Sequence, residues 1–169
     1  MHTLESDLAL QDAARMTTTP QARPAFGTVL ADQMAIASYR NGQWGPHELR
    51  PTGPVEIHPA AHVLHYASEC FEGFKAYRWA DGSIHVFRMD KHIERMRQSA
   101  RLLALPVPDA AQLAKMVLTV IDRVRAQVPE PPGALYMRPL LYGTMPNIGA
   151  ASAPSNEANL IVLASPVWD

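Results

Sequence analysis

The sequence predicts an α+β domain in which a mostly antiparallel sheet carries two main helices packed on one side. Three observations lead to that fold class. Short strand-like runs follow residue 25, two stretches with helical apolar spacing fill the middle, and two longer apolar strands close the chain. Helices and strands are thus segregated instead of alternating. At 169 residues, with 47% hydrophobic and 18% charged side chains, the chain can bury one ordinary core without disulfides or metals.

Each element has its own signal. Residues 1–24, "MHTLESDLALQDAARMTTTPQARP", read as a flexible N-terminal arm with one short helix around Leu8 to Met16 and a Thr/Pro linker; residues 25–169 form the domain. "TVLADQMAIASYR" and "GQW" predict strands joined at Asn41-Gly42, a dipeptide that tolerates positive φ. "PAAHVLHYASEC" predicts a short helix starting near Pro59, and "FEG" a hinge turning it into the next strand. Around Ala80-Asp81-Gly82, "FKAYRW" and "SIHVF" predict a hairpin with Phe74, Ala76 and Arg78 on one face and Lys75, Tyr77 and Trp79 on the other.

The helices follow. Asp90 is the expected N-cap of the first, with Ile93, Met96, Ala100 and Leu103 recurring at helical spacing and Pro106 just beyond its end. The second runs from Asp109 to about Gln127, with Leu113, Met116, Val117, Val120, Ile121 and Val124 on its apolar stripe. "PEPPG" breaks it. "ALYMRPLLYG" and "ANLIVLAS" predict the closing strands, separated by a Gly/Ser/Pro-rich loop from Thr144 to Glu157. No internal repeat is present.

Composition narrows the function. Fifteen basic against sixteen acidic residues give no field of one sign, so neither nucleic acid nor an anionic membrane is an expected partner. No apolar run reaches the ~20 residues of a membrane span, and the N-terminus lacks the basic-then-apolar order of a secretory signal. The single Cys70 excludes an internal disulfide framework and fits a reducing compartment, so a cytoplasmic protein is expected.

Several residues carry candidate chemistry. His58, His62 and His65 are spaced i, i+4, i+7, but they lack the carboxylate or cysteine a zinc site recruits, and Pro59 separates His58 from the helix; no metal is expected. Cys70, beside Glu69 and Phe71, gains no positive neighbour and reads as a small buried hydrophobe. Gly73 between aromatic residues marks either a core corner or a pocket wall. Arg138 sits inside an apolar strand, where a guanidinium needs an anion or dense acceptors: either a structural ion pair or a clamp for a carboxylate or phosphate. Arg95 and Arg97 flank the helical stripe and suit a phosphate or a salt bridge equally.

Five stretches in order, "FGTVLADQM", "LHYASECFEGFKAYR", "DGSIHVFRMDKHIERMRQSARLLALP", "LYMRPLLYGTMPNIG" and "VLASPV", resemble the N-terminal part of a branched-chain amino acid aminotransferase, a pyridoxal-phosphate enzyme of fold type IV. The resemblance covers nearly everything from Phe26 to Asp169. It implies an α/β-type small domain over 25–169, and pyridoxal 5'-phosphate as cofactor. Arg95 matches the family arginine that grips the cofactor's phosphate. Tyr66, Phe71 and Gly73 match residues lining the pocket for an aliphatic side chain, part of which faces a partner subunit in the family's homodimer. Tyr136 and Arg138 match residues near the substrate carboxylate, and Phe26 a pocket aromatic.

The implied reaction takes the amino group of leucine, isoleucine or valine to 2-oxoglutarate, giving a 2-oxo acid and glutamate. The family's Schiff-base lysine belongs to a C-terminal domain, expected to lie after "SPVWD" and to be absent here. Lys75, Lys91 and Lys115, the lysines of this chain, do not match it. By that resemblance no catalytic residue is expected in this chain, and it is expected not to turn over by itself. A D-amino acid transaminase and an aminodeoxychorismate lyase share the fold, although "FEGFKAYR" and "LYMRPLLYGT" favour branched-chain substrates. A non-catalytic dimerisation or interaction module, or a truncated gene product, is the alternative of a different class.

Overall fold

A computed structural model describes residues 23–149 and 153–168. The short helix expected around Leu8 to Met16 lies outside the described residues. In chain order the elements are β1 (Gln33–Arg40), β2 (Gln43–Trp44), β3 (Glu48–Pro51), α1 (His62–Tyr66), β4 (Glu69–Phe71), β5 (Phe74–Arg78) and β6 (Ile84–Val86). Then come α2 (Met89–Leu102), α3 (Ala110–Arg123), a 3-10 turn (Arg125–Gln127), β7 (Ala134–Gly143) and β8 (Ala158–Val167).

The strands form one sheet in the order β2-β1-β8-β7-β5-β6, with β3 also on β1 and β4 on β7. Every pairing is antiparallel, as the α+β prediction requires. Asn41 and Gly42, both at positive φ (53° and 80°), close the β1–β2 hairpin. Left-handed backbone at both central residues matches the twist of the strands they join.

Alternation along the strands sorts side chains into two faces. One face carries Ala35 and Ala37, Cys70, Phe74 and Ala76, Leu135, Met137 and Leu141, and Leu160, Val162 and Ala164. It meets Ile93, Met96 and Ala100 of α2 and Leu113, Met116, Val117 and Val120 of α3. Each large side chain fully buried there contributes about 1.5–3 kcal/mol. The opposite face has no long helix. Met34, Tyr142 and Ile161 make a smaller cluster at one end of it, covered by Val55 and Val63.

Three expectations change in detail. Asp90 is not the N-cap of α2: Arg88 holds that position in a left-handed conformation with no side-chain cap, leaving Asp90 inside the first turn. Leu103 is not on the buried stripe. The helix ends at Leu102, the chain turns at Ala104 with φ 52°, and Leu105 enters the core in its place. "FEG" is not a hinge. Phe71 pairs with Leu140 and Phe74 with Met137 in the same register along β7, so β4 and β5 are one ladder interrupted opposite Pro139, which has no N–H to donate. Glu72 still donates its backbone N–H to the Pro139 carbonyl at 3.0 Å.

Asp109 caps α3 as expected, accepting from the Gln112 N–H at 2.8 Å. Asp109→Ala should therefore lower unfolding free energy by about 1 kcal/mol, whereas Asp90→Ala should remove only a dipole interaction of about 0.3–1 kcal/mol. Chemical denaturation of both variants checks the order; equal losses would show that Asp90 caps after all.

Candidate functional site

The face left without long helices carries Phe71 and Gly73, Tyr136 and Arg138, and Leu163 and Ser165 from adjacent strands, because these positions share the register of the β4–β7–β8 ladder. Arg138 lies flat against that face. Its Nε and Nη2 donate to the Tyr136 hydroxyl at 3.1 and 2.8 Å. The guanidinium carbon stands 4.2 Å from the Phe71 ring centroid and 5.3 Å from that of Tyr136, within cation–π range of both. Among the described residues no carboxylate pairs with Arg138.

Gly73 explains how the rings come this close. A Cβ at this position would stand 2.1 Å from the Tyr136 hydroxyl, so glycine is required for space and not for a positive φ. Phe26 packs edge-on against Tyr136 with centroids 4.9 Å apart. Arg138 and Tyr136, with Phe26, Gly27, Leu30, Leu163, Ala164 and Ser165, line a cleft of about 180 Å³. One half-buried cation among apolar walls suits a small amphipathic anion.

Arg95 is placed differently. Glu72 alternates away from the open face at the sheet edge, where α2 packs, and its side chain is only 6% exposed. Arg95 donates to it through Nε and Nη2, both at 2.5 Å, while 64% of the arginine side chain remains exposed. The Gly73 N–H adds a third bond at 2.8 Å. Burial would raise the Glu72 pKa, but the Arg95 hydrogen bonds, the Gly73 N–H and the charges of Arg95 and His92 outweigh it and hold the carboxyl below its ordinary value. The same pair raises the pKa of Arg95. Arg97 serves structure instead, bonding the Pro108 carbonyl and Glu94.

Tyr66 does not line the Arg138 cleft. Its hydroxyl donates to the Ile148 carbonyl, and its ring packs on His62, so it belongs to a junction between α1 and the loop after β7. His62 is buried there against the Ser68 hydroxyl at 2.9 Å. His65 contacts the Pro59 carbonyl and His58 accepts from the Ala60 N–H; among the described residues no three ligand-type side chains are grouped for a metal. Cys70 is buried, and burial together with the Glu69 charge pushes its thiol up to about 11.

Sequence reasoning missed Glu72, Leu30, Leu163 and Ser165. Glu72 carried one usable signal, a carboxylate set between Phe71 and Phe74 that calls for a cationic partner once buried. Leu163 was reachable only through the β7–β8 register, which places it opposite Arg138.

The domain is thus a helix-backed antiparallel sheet with one arginine on its open face and another at its edge. Residues 69–167 match the family described as Amino-transferase class IV, and the chain belongs to that family. It is 44% identical over 148 residues to the branched-chain-amino-acid aminotransferase of Mycobacterium tuberculosis (strain ATCC 25618 / H37Rv), covering 85% of this chain and 39% of that protein. Against the mitochondrial branched-chain-amino-acid aminotransferase of Mus musculus the identity is 35% over 170 residues, 96% of this chain and 42% of the relative. Among solved structures, the T.th. branched-chain amino acid aminotransferase with pyridoxamine 5'-phosphate superposes with a TM-score of 0.64 at 25% identity, covering 83% of this chain and 41% of the other. Its complex with 4-methylvaleric acid gives 0.63 at 26%, covering 83% and 42%. The chain spans about two-fifths of the length of these curated relatives.

Gly73→Ala should destabilise the fold by about 1–3 kcal/mol, as overpacking does, and displace Tyr136 from Arg138, read as loss of the Tyr136 ring shifts in NMR spectra. Arg95→Ala should cost about 1–2 kcal/mol at neutral pH, less than a fully buried pair because water screens the guanidinium. A depressed carboxyl stabilises the fold above its unfolded pKa and loses that contribution as pH falls through its folded value. The gap between the Arg95→Ala and unaltered chains should therefore close with acidification; a gap that widens below about pH 4, the unperturbed glutamate range, would contradict the pairing.

Proposed function

We propose that this chain supplies the small-domain side of the catalytic pocket of a pyridoxal 5'-phosphate-dependent branched-chain aminotransferase, one that moves the amino group of leucine, isoleucine or valine to 2-oxoglutarate. One observation carries the reading. Arg138 is a half-buried guanidinium resting on Phe71 and Tyr136, in an apolar cleft, with no carboxylate among the described residues to pair with it. The bonds to Tyr136 leave its Nη1 side available to a planar anion.

The residues have separate tasks under this reading. Arg138 and the Tyr136 hydroxyl orient the anionic end of an amino or oxo acid. Phe26, Phe71, Leu30 and Leu163 exclude water and receive an aliphatic chain, and Gly73 keeps the wall thin enough for the phenol to sit there. Arg95 fits the cofactor's phosphate: Glu72 occupies one edge of its guanidinium, and the other edge is exposed. Pyridoxal phosphate, when bound, supplies an electron sink for the electrons released at the substrate Cα. The reading assigns no catalytic amine to Lys75, Lys91 or Lys115.

Substrate class rests on the relatives, whose names specify branched-chain amino acids, and on the apolar walls of the cleft. The reading also includes a homodimer. Tyr66 and the Met145–Gly149 loop lie outside the Arg138 cleft, so lining a side-chain pocket with them calls for a second chain, and Trp79 and Phe87 are exposed apolar surface available for association. No helix among the described residues is long and apolar enough to cross a membrane, and one unpaired cysteine fits work in the cytoplasm.

Titration of the chain with 4-methylvalerate, followed by NMR of arginine Nε–Hε signals, tests the reading. Saturable shifts are expected at Arg138, with affinity about tenfold or more weaker in Arg138→Ala, the loss of one charge-assisted contact. Shifts that avoid Arg138, or equal affinity in the variant, would remove the basis for the assignment.

A further inference from the structure

We infer that Glu72 is a positioning residue: it holds Arg95 so that the outer edge of the guanidinium faces an anionic phosphoryl group at the sheet edge. The inference rests on the reading of Arg95 above as the phosphate-holding arginine. It adds a role for the buried carboxylate next to it.

Arginine presents two forks, one made by Nε with Nη2 and one made by Nη1 with Nη2. Glu72 occupies the first fork with both carboxylate oxygens. Among the described residues no hydrogen bond occupies Nη1, so the second fork is open, and the exposed side chain puts it in solvent. A guanidinium on a long flexible stem loses rotamer freedom when it binds an anion. One that is already held loses less, which raises affinity without a new contact.

Glu72 is itself well held. Its side chain is buried, the Gly73 N–H donates to Oε1, and His92 Nδ1 stands 3.8 Å from Oε2. His92 is fixed in turn by stacking on Phe74 with centroids 4.9 Å apart. Phe71 and Gly73, the neighbours of Glu72, point to the face that carries Arg138. A single tripeptide therefore places a phosphoryl-facing arginine in a fixed relation to the Phe71 ring under Arg138 and to the Gly73 gap that admits Tyr136. Simple electrostatics predicts the opposite consequence, because a carboxylate beside an anion site repels the anion and competes for its arginine. Bracing and repulsion thus act on affinity with opposite sign.

The test uses the full chain at neutral pH, titrated with inorganic phosphate, and reads the Arg95 Nε–Hε shift and its relaxation. In the unaltered chain an ordered Nε–Hε and saturable phosphate shifts are expected. Glu72→Gln, which keeps the shape and an acceptor for the Gly73 N–H, should lower that order and weaken phosphate binding about tenfold. Equal or tighter binding in Glu72→Gln overturns the inference and makes Glu72 a competing charge, while the phosphate role of Arg95 survives. No phosphate shift at Arg95 in the unaltered chain overturns both, leaving the Arg138 assignment to its own test. A disordered Arg95 Nε–Hε in the unaltered chain also overturns the inference and needs no variant to fold. Arg95→Lys separates fork from charge: Glu72→Gln should not weaken phosphate binding further in an Arg95→Lys background, and a full additive loss there would contradict positioning.

Discussion

The pairing of β7 with β8, from Ala134 opposite Val167 to Gly143 opposite Ala158, is the constraint on which the other features depend. It decides which side chains face the helices and which face the open side. Shifting β7 by one residue would turn Arg138 and Tyr136 toward the core beneath α2 and α3 and push Met137 and Leu135 outward. The buried set on the helix side makes that slip costly. Residues such as Leu135, Met137, Leu160 and Val162 are fully buried, and exposing several of them would cost several kcal/mol. Hydrophobic packing on one face thus holds a cation in place on the other.

The domain manages its two notable arginines in opposite ways. Arg138 is neutralised by no carboxylate among the described residues; two aromatic rings and a phenol oxygen carry it, interactions that leave its charge available. Arg95 is tied to Glu72, which leaves its charge offset but its orientation fixed. The first arrangement suits an anion that must enter and leave an apolar cleft. The second fixes the direction of a guanidinium fork as well as offsetting its charge. Gly73 joins the two, admitting the Tyr136 phenol through its missing side chain and bonding Glu72 through its N–H.

Much of the fold was legible because the signals were local. The stripe Leu113, Met116, Val117, Val120 and Ile121 follows helical periodicity, Asp109 caps its own helix, and Asn41-Gly42 closes its own hairpin. The misreadings came where a distant neighbour intervened. Leu103 continued a helical stripe, yet the chain turns at Ala104 and Leu105 is the side chain that packs. "FEG" resembled a hinge because glycine commonly marks a bend, but the ladder along β7 keeps it extended and Pro139 explains the gap. Asp90 had the residue type of a cap and lacked the backbone, since Arg88 took the left-handed position first.

For the candidate site, the residue types at Phe26, Phe71, Gly73, Arg95, Tyr136 and Arg138, and the motif order that places the chain among class IV aminotransferases, were determined by the sequence alone. Composition and periodicity were enough for an antiparallel sheet backed by two helices. Only the tertiary structure decided that Arg138 faces a cleft with Leu30 and Leu163, that Glu72 pairs with Arg95, and that Tyr66 stands apart from both. Those facts depend on contacts between residues far apart in the chain, such as Glu72 with Arg95 and Tyr66 with Ile148. Strand register and helix docking create such contacts, and no local pattern of apolar and polar residues encodes them.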